Sequence, residues 1–338
     1  MLCTSQAGFE DLLAQELEAA GLPVRERGSA WVLAADAPAV PDLVFAHLIL
    51  LDPVEIRGES VNALAQQVLE FFSSRLRGER IEARWPNCWQ YPPETVGLGR
   101  RASAVASAFE ELLRKKLSRV AKLAAPEVPR TPGRARGLFV WFADFGRVWV
   151  AREAEVNGPR RMADDPLAPS RSYLKVEEAF AVLGREPGPG EVVVDLGAAP
   201  GGWSYSAAKR GARVIAVDNG PLKGGALDHP LIEHRAEDAF SFRPRAGERF
   251  DWLLCDLLEE PHHVMQHIVD PWLAQRWCGQ FVVNLKFGRV DALALIRDLR
   301  ASSSSLVTAA ENVRIRHLFH DREELTVVGQ VRGSAPNG

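Results

Sequence analysis

The sequence predicts an α/β protein whose C-terminal half is a doubly wound parallel sheet, preceded by a smaller α+β region. A glycine-rich turn directly follows an apolar strand at 192–204, as expected for the first strand and helix of such a sheet. Strand and helix patterns then alternate to the end of the chain. The N-terminal half mixes short strands and helices without that alternation, and 338 residues are enough for two or three domains.

The elements of the C-terminal half follow from apolar runs and amphipathic patterns. Short runs rich in Val, Leu and Ile between turn residues predict strands, and apolar spacings of three and four predict helices. The predicted strands are 192–195, 213–218, 252–256, 281–286 and 325–331, and the predicted helices are 203–210, 262–275 and 291–301. A further strand, the third in the chain order of this half, should end near Asp238.

The elements of the N-terminal half are shorter and less regular. The predicted elements are helices at 9–20, 61–77 and 102–123, strands at 31–34 and 44–51, and a hairpin at 137–150. Such a mixture indicates one or two small α+β modules. Changes of composition at 124–136 and 155–170, both rich in turn residues, divide the chain.

Bulk composition excludes several classes of protein. The net charge of −3 excludes a uniformly basic nucleic-acid coat but leaves local basic patches open. The four cysteines form no C-x-x-C pair, so we expect neither a structural zinc site nor disulfides. No apolar run approaches the ~20 residues that span a bilayer, and no secretory signal is evident. We therefore expect a cytoplasmic, monomeric protein without a metal, membrane or DNA partner.

A basic run occupies 100–136, with ten Lys or Arg residues against three Glu residues. Two interpretations fit this run: a solvated helix face, or a surface that binds nucleic-acid phosphates. Trp85, Trp89 and Tyr91 lie just before it. These aromatic side chains either stack on bases or belong to the core.

The turn after the first strand of the C-terminal half reads Gly-Ala-Ala-Pro-Gly-Gly-Trp-Ser. Glycines let a backbone approach a ligand closely, and the helix start that follows offers unpaired N–H groups. The spacing is not the G-x-G-x-x-G of dinucleotide folds, so the turn predicts S-adenosyl-L-methionine as the cofactor. The residues expected to contact it are Gly197, Ala199, Pro200, Gly201, Gly202 and Trp203.

Acidic residues at strand ends extend this predicted cofactor site. Asp218 ends the second strand, where a carboxylate can accept both ribose hydroxyls, although an N-capping role also fits. Asp238 is predicted to accept the adenine amino group. Asp256 ends the next strand and is expected to face the methyl group. The Asp-Leu-Leu-Glu string that begins there differs from the Asn-Pro-Pro-aromatic turn used to methylate base amino groups.

Two lysines and one further acid complete the predicted chemistry. Lys286 closes an apolar strand, where a lysine is costly without a partner or a task. Lys175 and Glu324 lie before the first and last strands of the same sheet. We expect burial and the second cation to lower the pKa of Lys286, so that it acts as general base on an alcohol. Cys255 and Cys278 are expected to be buried rather than nucleophilic.

These residues resemble a known set. Lys175, Asp256, Lys286 and Glu324 match, in order and context, the Lys-Asp-Lys-Glu tetrad of Rossmann-type RNA 2′-O-ribose methyltransferases. The strings Val-Asp-Asn-Gly-Pro, Asn-Leu-Lys and His-Asp-Arg-Glu-Glu more specifically resemble the bacterial 23S ribosomal RNA 2′-O-ribose methyltransferase M family. The resembling segments cover most of 165–332.

The resemblance implies an organisation and a substrate. It implies a ferredoxin-like piece at 1–50, a THUMP-like RNA-binding domain at 51–155, a linker at 156–170 and a Rossmann-fold methyltransferase domain at 171–332. It also implies that Ser172 lines the S-adenosylmethionine site, and that the acceptor is a cytidine in 23S ribosomal RNA or its assembly precursor.

The sequence departs from the family pattern after the catalytic lysine, where residues 287–291 carry one cation in place of a basic stretch. Two alternatives therefore stay open. One is the same reaction on transfer RNA, and the other is a non-catalytic RNA-binding assembly factor with a vestigial methyltransferase fold.

Overall fold

The computed structural model describes residues 1–76 and 78–333 and divides the chain into two compact units, Met1–Gly158 and Pro159–Gly338. The boundary falls within the predicted linker at 156–170. The residues that follow it are attached to the second unit: the Arg160 amide donates to Glu178, and the Tyr173 hydroxyl donates to the carbonyl of Ala163 at 2.8 Å. The finer division of the first unit at residue 50 stays a prediction.

The first unit is built on one mixed sheet. Its strands are β1 (Leu2–Thr4), β2 (Val24–Gly28), β3 (Trp31–Ala34), β4 (Leu48–Leu51), β5 (Val54–Arg57), β6 (Trp85–Gln90), β7 (Ala124–Ala125), β8 (Gly133–Phe142) and β9 (Arg147–Val156). Its helices are α1 (Glu10–Ala19), α2 (Val61–Arg75), α3 (Leu98–Lys116) and α4 (Ser118–Ala121). Within the described residues the strand order is β2-β3-β1-β4-β9-β8-β6-β7, and β5 also pairs with β9. The sheet is therefore continuous across residue 50.

The predicted hairpin is confirmed as β8 and β9, and the predicted helices differ from α1, α2 and α3 mainly at their ends. The helix predicted at 102–123 starts earlier, at Leu98, and stops at Lys116 because Leu117 leaves the helical region with φ −139° and ψ 58°. The strand predicted at 44–51 is reduced to β4. Arg77, the predicted end of α2, lies outside the described residues.

One core of the first unit lies between α2, α3 and the sheet, and it contains Trp85, for which both base stacking and a core position were left open. Trp85 stacks on Phe72 with ring centroids 4.8 Å apart, and its indole N–H donates to the carbonyl of Val120. Of the two interpretations of Trp85, the structure supports the core position. Trp89 is half-buried against Phe109, whereas Tyr91 is exposed.

The second unit is the predicted doubly wound sheet. Its strands are β10 (Val192–Leu196), β11 (Arg213–Val217), β12 (Ile232–Arg235), β13 (Phe250–Cys255), β14 (Cys278–Lys286), β15 (Ala310–Arg316) and β16 (Glu324–Val331). Its helices are α5 (Tyr173–Leu183), α6 (Gly202–Lys209), α7 (Pro261–Val264), α8 (Asp270–Ala274), α9 (Ala292–Leu299) and α10 (Ser305–Thr308), with a π-helical turn at Met265–Val269 and a 3₁₀ turn at Gly224–Ala226.

The position of the ligand site follows from the strand order, which is β12-β11-β10-β13-β14-β16-β15. Pairings from β12 to β14 are parallel, while β16 lies antiparallel between β14 and β15. The direction of winding reverses between β10 and β13, and ligands of such sheets bind at the carboxyl ends of the strands there. No helix of the described residues is long and apolar enough to cross a membrane.

Glu178 of α5 holds the loop before β16 in place. This carboxylate is fully buried and accepts the backbone N–H groups of Arg160, Phe319 and His320 at 2.7 to 3.1 Å. Such bonds offset much of the cost of burying a carboxylate. Because Lys175 lies one turn earlier on α5 and Glu324 ends the loop, Glu178 fixes the two elements that carry them.

We predict that Phe109→Ala destabilises the protein by about 3–5 kcal/mol, because it empties a fully buried ring position in α3. The ring of Phe109 contacts Phe72 edge-on at 6.2 Å. Chemical denaturation of the full chain measures the change. The matched control is Phe145→Ala, at a ring that is 48% exposed, which should change stability by less than about 0.5 kcal/mol. Equal losses in the two variants would contradict this description of the core.

Candidate active site

The four residues of the predicted tetrad meet at the carboxyl end of the central strands. Lys286 is the last residue of β14, and it lies directly opposite Glu324 in the antiparallel register with β16. Asp256 is the first residue after β13, which pairs with β14 on its other side. Lys175 lies in the first turn of α5. The strand order therefore places Lys286 between two carboxylates.

The contacts within this cluster are direct. The Lys286 ammonium donates to Glu324 Oε2 at 2.6 Å, to Asp256 Oδ1 and to Asn284 Oδ1. Lys175 forms an ion pair with Glu324 Oε1 and lies 3.9 Å from Asp256 Oδ2. All four charged side chains are largely buried. The cluster thus pairs two cations with two anions, and all three N–H bonds of Lys286 have acceptors.

The protonation of Lys286 differs from the sequence prediction. Burial favours the neutral amine, but the charges of Asp256 and Glu324 and their hydrogen bonds outweigh burial and raise the pKa of Lys286. The expectation of a lowered pKa is therefore wrong for the free protein. Burial likewise favours a protonated Glu324, but the charges of Lys286 and Lys175 and their hydrogen bonds lower the pKa of Glu324 below its ordinary value.

The glycine turn after β10 is shaped by backbone conformation and close packing. Gly197 and Gly201 have φ values of +80° and +105°, which non-glycine residues rarely adopt. A Cβ on Gly197 would lie 2.6 Å from a methyl carbon of Leu257, and one on Gly201 would lie 2.5 Å from the Cβ of Ala226. These glycines bring the turn against the loops that follow β13 and β11.

The Asp218 carboxylate also shapes this turn. Its Oδ2 accepts the Ala199 amide at 3.0 Å and its Oδ1 accepts the Gly220 amide at 2.7 Å. Neither amide belongs to the first turn of a helix, and the next helical turn begins after Lys223, so the N-capping interpretation of Asp218 is wrong. Each oxygen retains a lone pair, and the residue is half-exposed at the end of β11, where a ribose hydroxyl can reach it.

Three carboxylates near the turn fit a cationic cofactor. Asp195 is 1% exposed and accepts the Ser204 hydroxyl on Oδ2, while its Oδ1 has no hydrogen-bond partner among residues 1–76 and 78–333. Burial raises the pKa of Asp195 to about 7, and the charges of Asp256 and Asp218 add to the shift. The sulfonium and ammonium charges of S-adenosylmethionine would relieve this repulsion, so the residues present fit the cofactor.

Three further residues that were predicted to bind the cofactor differ in their exposure and contacts. Ser172 precedes α5 and is half-buried, and its hydroxyl lies 2.7 Å from that of Ser170. Asp238 lies three residues beyond β12, exposed, and accepts the Phe240 amide and the Ser241 hydroxyl. Trp203 is 2% exposed and its indole donates to the carbonyl of Ser172, so its side chain belongs to the core, and its contact with the cofactor stays a prediction.

The cysteines are buried, as predicted for Cys255 and Cys278. Burial raises the pKa of both thiols far above the ordinary value, and the neighbouring charges of Asp256 and Asp195 add to the shift at Cys255. Because the thiolate is the nucleophilic form, neither side chain is suited to nucleophilic catalysis.

Sequence reasoning missed Asn284 and gave Asp195 no role. Both side chains are buried, and Asn284 contacts Lys286 directly. The available signal was a polar residue two positions before Lys286 within an apolar strand. Residues two apart face the same side of a strand, so Asn284 and Lys286 share a face of β14.

The basic run of the first unit contains a part that is paired with carboxylates and a part that has no ion pair within the described residues. Arg134 and Arg136 pair with Glu79 and Glu153, so this part of the run is neutralised. Five exposed cations at the end of α3 and in and after α4 have no ion pair within the described residues: Arg114, Lys115, Lys116, Arg119 and Lys122. We call these five residues the basic end of α3. Both original interpretations remain for it, because a helix C-terminus also favours cations.

The chain is similar to a known methyltransferase family and to full-length relatives. The profile of the FtsJ-like methyltransferase family matches residues 168–320, a range that contains Lys175, Asp256 and Lys286 and ends four residues before Glu324. The ribosomal RNA large subunit methyltransferase M of Laribacter hongkongensis is 34% identical and covers 96% of this chain and 95% of its own length.

Other relatives carry the same name. The protein from Xanthomonas oryzae pv. oryzae is 31% identical and covers 97% of this chain and 98% of its own length. The protein from Chromohalobacter salexigens is 33% identical and covers 95% of this chain and 94% of its own length. Among solved structures, a TehB-like S-adenosylmethionine-dependent methyltransferase from Corynebacterium glutamicum aligns with 48% of this chain and 97% of its own, at 17% identity and a TM-score of 0.30.

The near-complete coverage by these relatives assigns the whole chain rather than one unit. The chain belongs to the ribosomal RNA large subunit methyltransferase M family and is an S-adenosyl-L-methionine-dependent RNA methyltransferase with a Rossmann-like catalytic unit.

Proposed function

We propose that the protein methylates the 2′-hydroxyl of a cytidine in 23S ribosomal RNA, in the cytoplasm, with Lys286 as the base. The observation that carries this proposal is the position of Lys286 between Asp256 and Glu324 at the carboxyl end of β14. A buried amine at this place is suited to an alcohol acceptor, which must lose a proton as it is methylated. The names of the relatives support ribosomal RNA as the substrate.

When bound, S-adenosylmethionine would supply an electrophilic methyl group whose leaving group is a neutral thioether. In the proposed site Asp218 would accept the ribose hydroxyls of the cofactor, and Gly197 to Gly202 and Ser172 would bind its amino-acid end. Asp238 would accept the adenine amino group. Fixing both reactants beside Lys286 removes much of the entropic barrier to the reaction.

Lys286 must lose a proton before it can accept one. In the free protein the two carboxylates keep it charged, and each of its N–H bonds has an acceptor. Two changes on assembly lower its pKa: a cationic cofactor binds nearby, and the substrate hydroxyl replaces one carboxylate as its partner. Lys175 then stabilises the negative charge of the carboxylate that the substrate hydroxyl displaces.

The first unit is proposed to bind the RNA as a THUMP-like domain. The basic end of α3 supports this, since five exposed and unpaired cations are suited to phosphate contacts. Transfer RNA is a second candidate substrate because it presents the same phosphates and ribose. The alternative of a non-catalytic assembly factor is wrong, because the chain belongs to a family of RNA methyltransferases.

The proposal is tested by mapping the product. The protein is incubated with methyl-labelled S-adenosylmethionine and, separately, with deproteinised large-subunit RNA, assembled subunits and transfer RNA. We expect label at a single cytidine 2′-oxygen of the large-subunit RNA or particle. Label only in transfer RNA, or only on a base, would overturn the proposed substrate or reaction.

Asp218→Ala should weaken binding of S-adenosylhomocysteine about tenfold or more, because two ribose hydroxyls lose a charged acceptor worth ~1.5–3 kcal/mol. Calorimetry measures the affinity. The matched control is Asp228→Ala, because Asp228 is an exposed acid further along the chain. This variant should bind S-adenosylhomocysteine with wild-type affinity. An unchanged affinity for Asp218→Ala would remove this residue from the cofactor site.

Lys286→Met keeps the chain length and removes the basic nitrogen, so single-turnover methyl transfer should fall to below about a hundredth of the wild-type rate. Cofactor affinity should be largely retained. Lys286→Arg should also fail, since a guanidinium stays protonated. A Lys286→Met rate above about a tenth of wild type would exclude Lys286 as the base.

Replacing Arg114, Lys115 and Lys116 together by Ala should weaken RNA binding and reduce its salt dependence, with cofactor affinity unchanged. The matched control replaces three cations of the same unit that are paired with carboxylates, Arg27, Arg57 and Arg80. It removes the same net charge and should bind RNA nearly as the wild type does. If both triple variants retain wild-type affinity and salt slope, the basic end of α3 is only a solvated surface.

A further inference from the structure

We propose that Asn284 is a positioning residue that sets the direction of the Lys286 lone pair, an inference that rests on the proposed role of Lys286. Asn284 is 0% exposed, and its side-chain oxygen accepts one N–H of Lys286. The other two acceptors of that amine are the carboxylates of Asp256 and Glu324. Asn284 is therefore the one neutral group among the three.

The orientation of the Asn284 amide follows from its other contacts. Its NH₂ group donates to Asp321 Oδ1 at 3.1 Å and to Thr326 Oγ1 at 3.0 Å, both of which are buried. Thr326 is its direct cross-strand partner on β16, and it also donates to Asp321. A flipped amide would place its NH₂ against the ammonium and its oxygen against the Asp321 carboxylate, two repulsive contacts. The network therefore holds the amide oxygen towards Lys286.

A neutral amine has two N–H donors and one lone pair, so it can serve only two of the three acceptors. Glu324 is the more firmly held carboxylate: its side chain is 6% exposed against 16% for Asp256, and it also accepts Lys175 and the Arg322 amide. Asn284 is held by two buried partners. The two N–H groups thus stay with Glu324 and Asn284, and the lone pair points to the Asp256 side.

This direction is the productive one for the proposed reaction. Asp256 follows β13, next to the glycine turn, where Leu257 packs beside Gly197. A ribose hydroxyl arriving there forms a C–O bond to the methyl carbon as its C–S bond breaks. The hydroxyl proton passes to Lys286 Nζ, and the sulfonium leaves as a neutral thioether. The atoms and charges balance without another reactant.

Charged groups from every neighbouring element face Lys286 or its partners. They are Asp256 after β13, Glu324 on β16, Lys175 on α5 and Asp321 before β16, whose pKa burial raises to about 7. A substitution at Asn284 alters the one neutral contact of the amine. It should therefore shift the pH dependence of the rate in a direction set by the charge of the new side chain, whereas a purely structural role would give no defined direction.

Two substitutions at Asn284 should shift the pH dependence of single-turnover methyl transfer in opposite directions. Asn284→Leu leaves an ammonium N–H without an acceptor, so the rise of rate with pH should move to lower pH. Asn284→Asp adds a negative charge, so the rise should move to higher pH. Both variants should be slower by a factor on the order of 10 to 100 at their best pH, because the amine is misdirected. The affinity for S-adenosylhomocysteine should stay within about twofold of wild type, since Asn284 is not in the proposed cofactor site.

The matched control is Gln280→Leu, at a buried polar residue on the same face of β14, four positions earlier. It should lower thermal stability without moving the pH profile. If Asn284→Leu does not fold, Thr326→Val serves in its place, because it removes one of the two groups that orient the amide. It should slow transfer to a smaller extent.

The outcomes separate this inference from the proposed function. An active Lys286→Met enzyme contradicts the proposed base and, with it, the role of Asn284. An inactive Lys286→Met enzyme together with wild-type rates and pH profiles for the Asn284 and Thr326 variants overturns only the inference. Shifts in the same direction for Asn284→Leu and Asn284→Asp would also overturn it.

Discussion

The site depends on one constraint: a lysine at the end of a buried strand must be held between two carboxylates. A buried charge without partners costs several kcal/mol, so Lys286, Asp256 and Glu324 can only be buried together. Lys175 brings a second cation, and the cluster as a whole is neutral. The order and register of β13, β14 and β16 satisfy this requirement, because they place one acid on each side of the lysine.

Other features of the second unit support that arrangement. Glu178 fixes α5 and the loop before β16, so Lys175 and Glu324 approach each other from fixed elements. Asp321 and Thr326 fix the amide of Asn284 beneath the lysine. The glycine turn after β10 packs against Leu257, the residue after Asp256. The second unit thus surrounds the amine with groups that have little freedom to move, as the alignment of a base with a reacting hydroxyl requires.

The sequence was informative where residue type and strand position together determine chemistry. Asp256 and Lys286 follow or end apolar parallel strands, whose carboxyl ends meet at one edge of a sheet, so their proximity could be predicted. Glu324 at the entry to the last strand and Lys175 before the first strand completed the tetrad through the resemblance to a known family. It was less informative where the outcome depends on contacts between distant residues. The pKa of Lys286 was predicted in the wrong direction, because the balance between burial and the charges of its two acids depends on contact distances that the sequence does not give. The burial of the Trp203 side chain depends on packing between α5 and α6 and was not predicted. β15, with its bulge between Glu311 and Arg314, has no clear apolar alternation and was not predicted.

The most direct test of the account is the protonation state of Lys286, followed through the ¹³Cε chemical shift of its side chain. In the free protein we expect the ammonium form to persist to a higher pH than in an ordinary lysine, because Asp256 and Glu324 raise its pKa. Binding of the cationic cofactor should lower that pKa, whereas neutral S-adenosylhomocysteine should lower it less. A free-protein pKa below the ordinary lysine value, or equal shifts with the two ligands, would contradict the account.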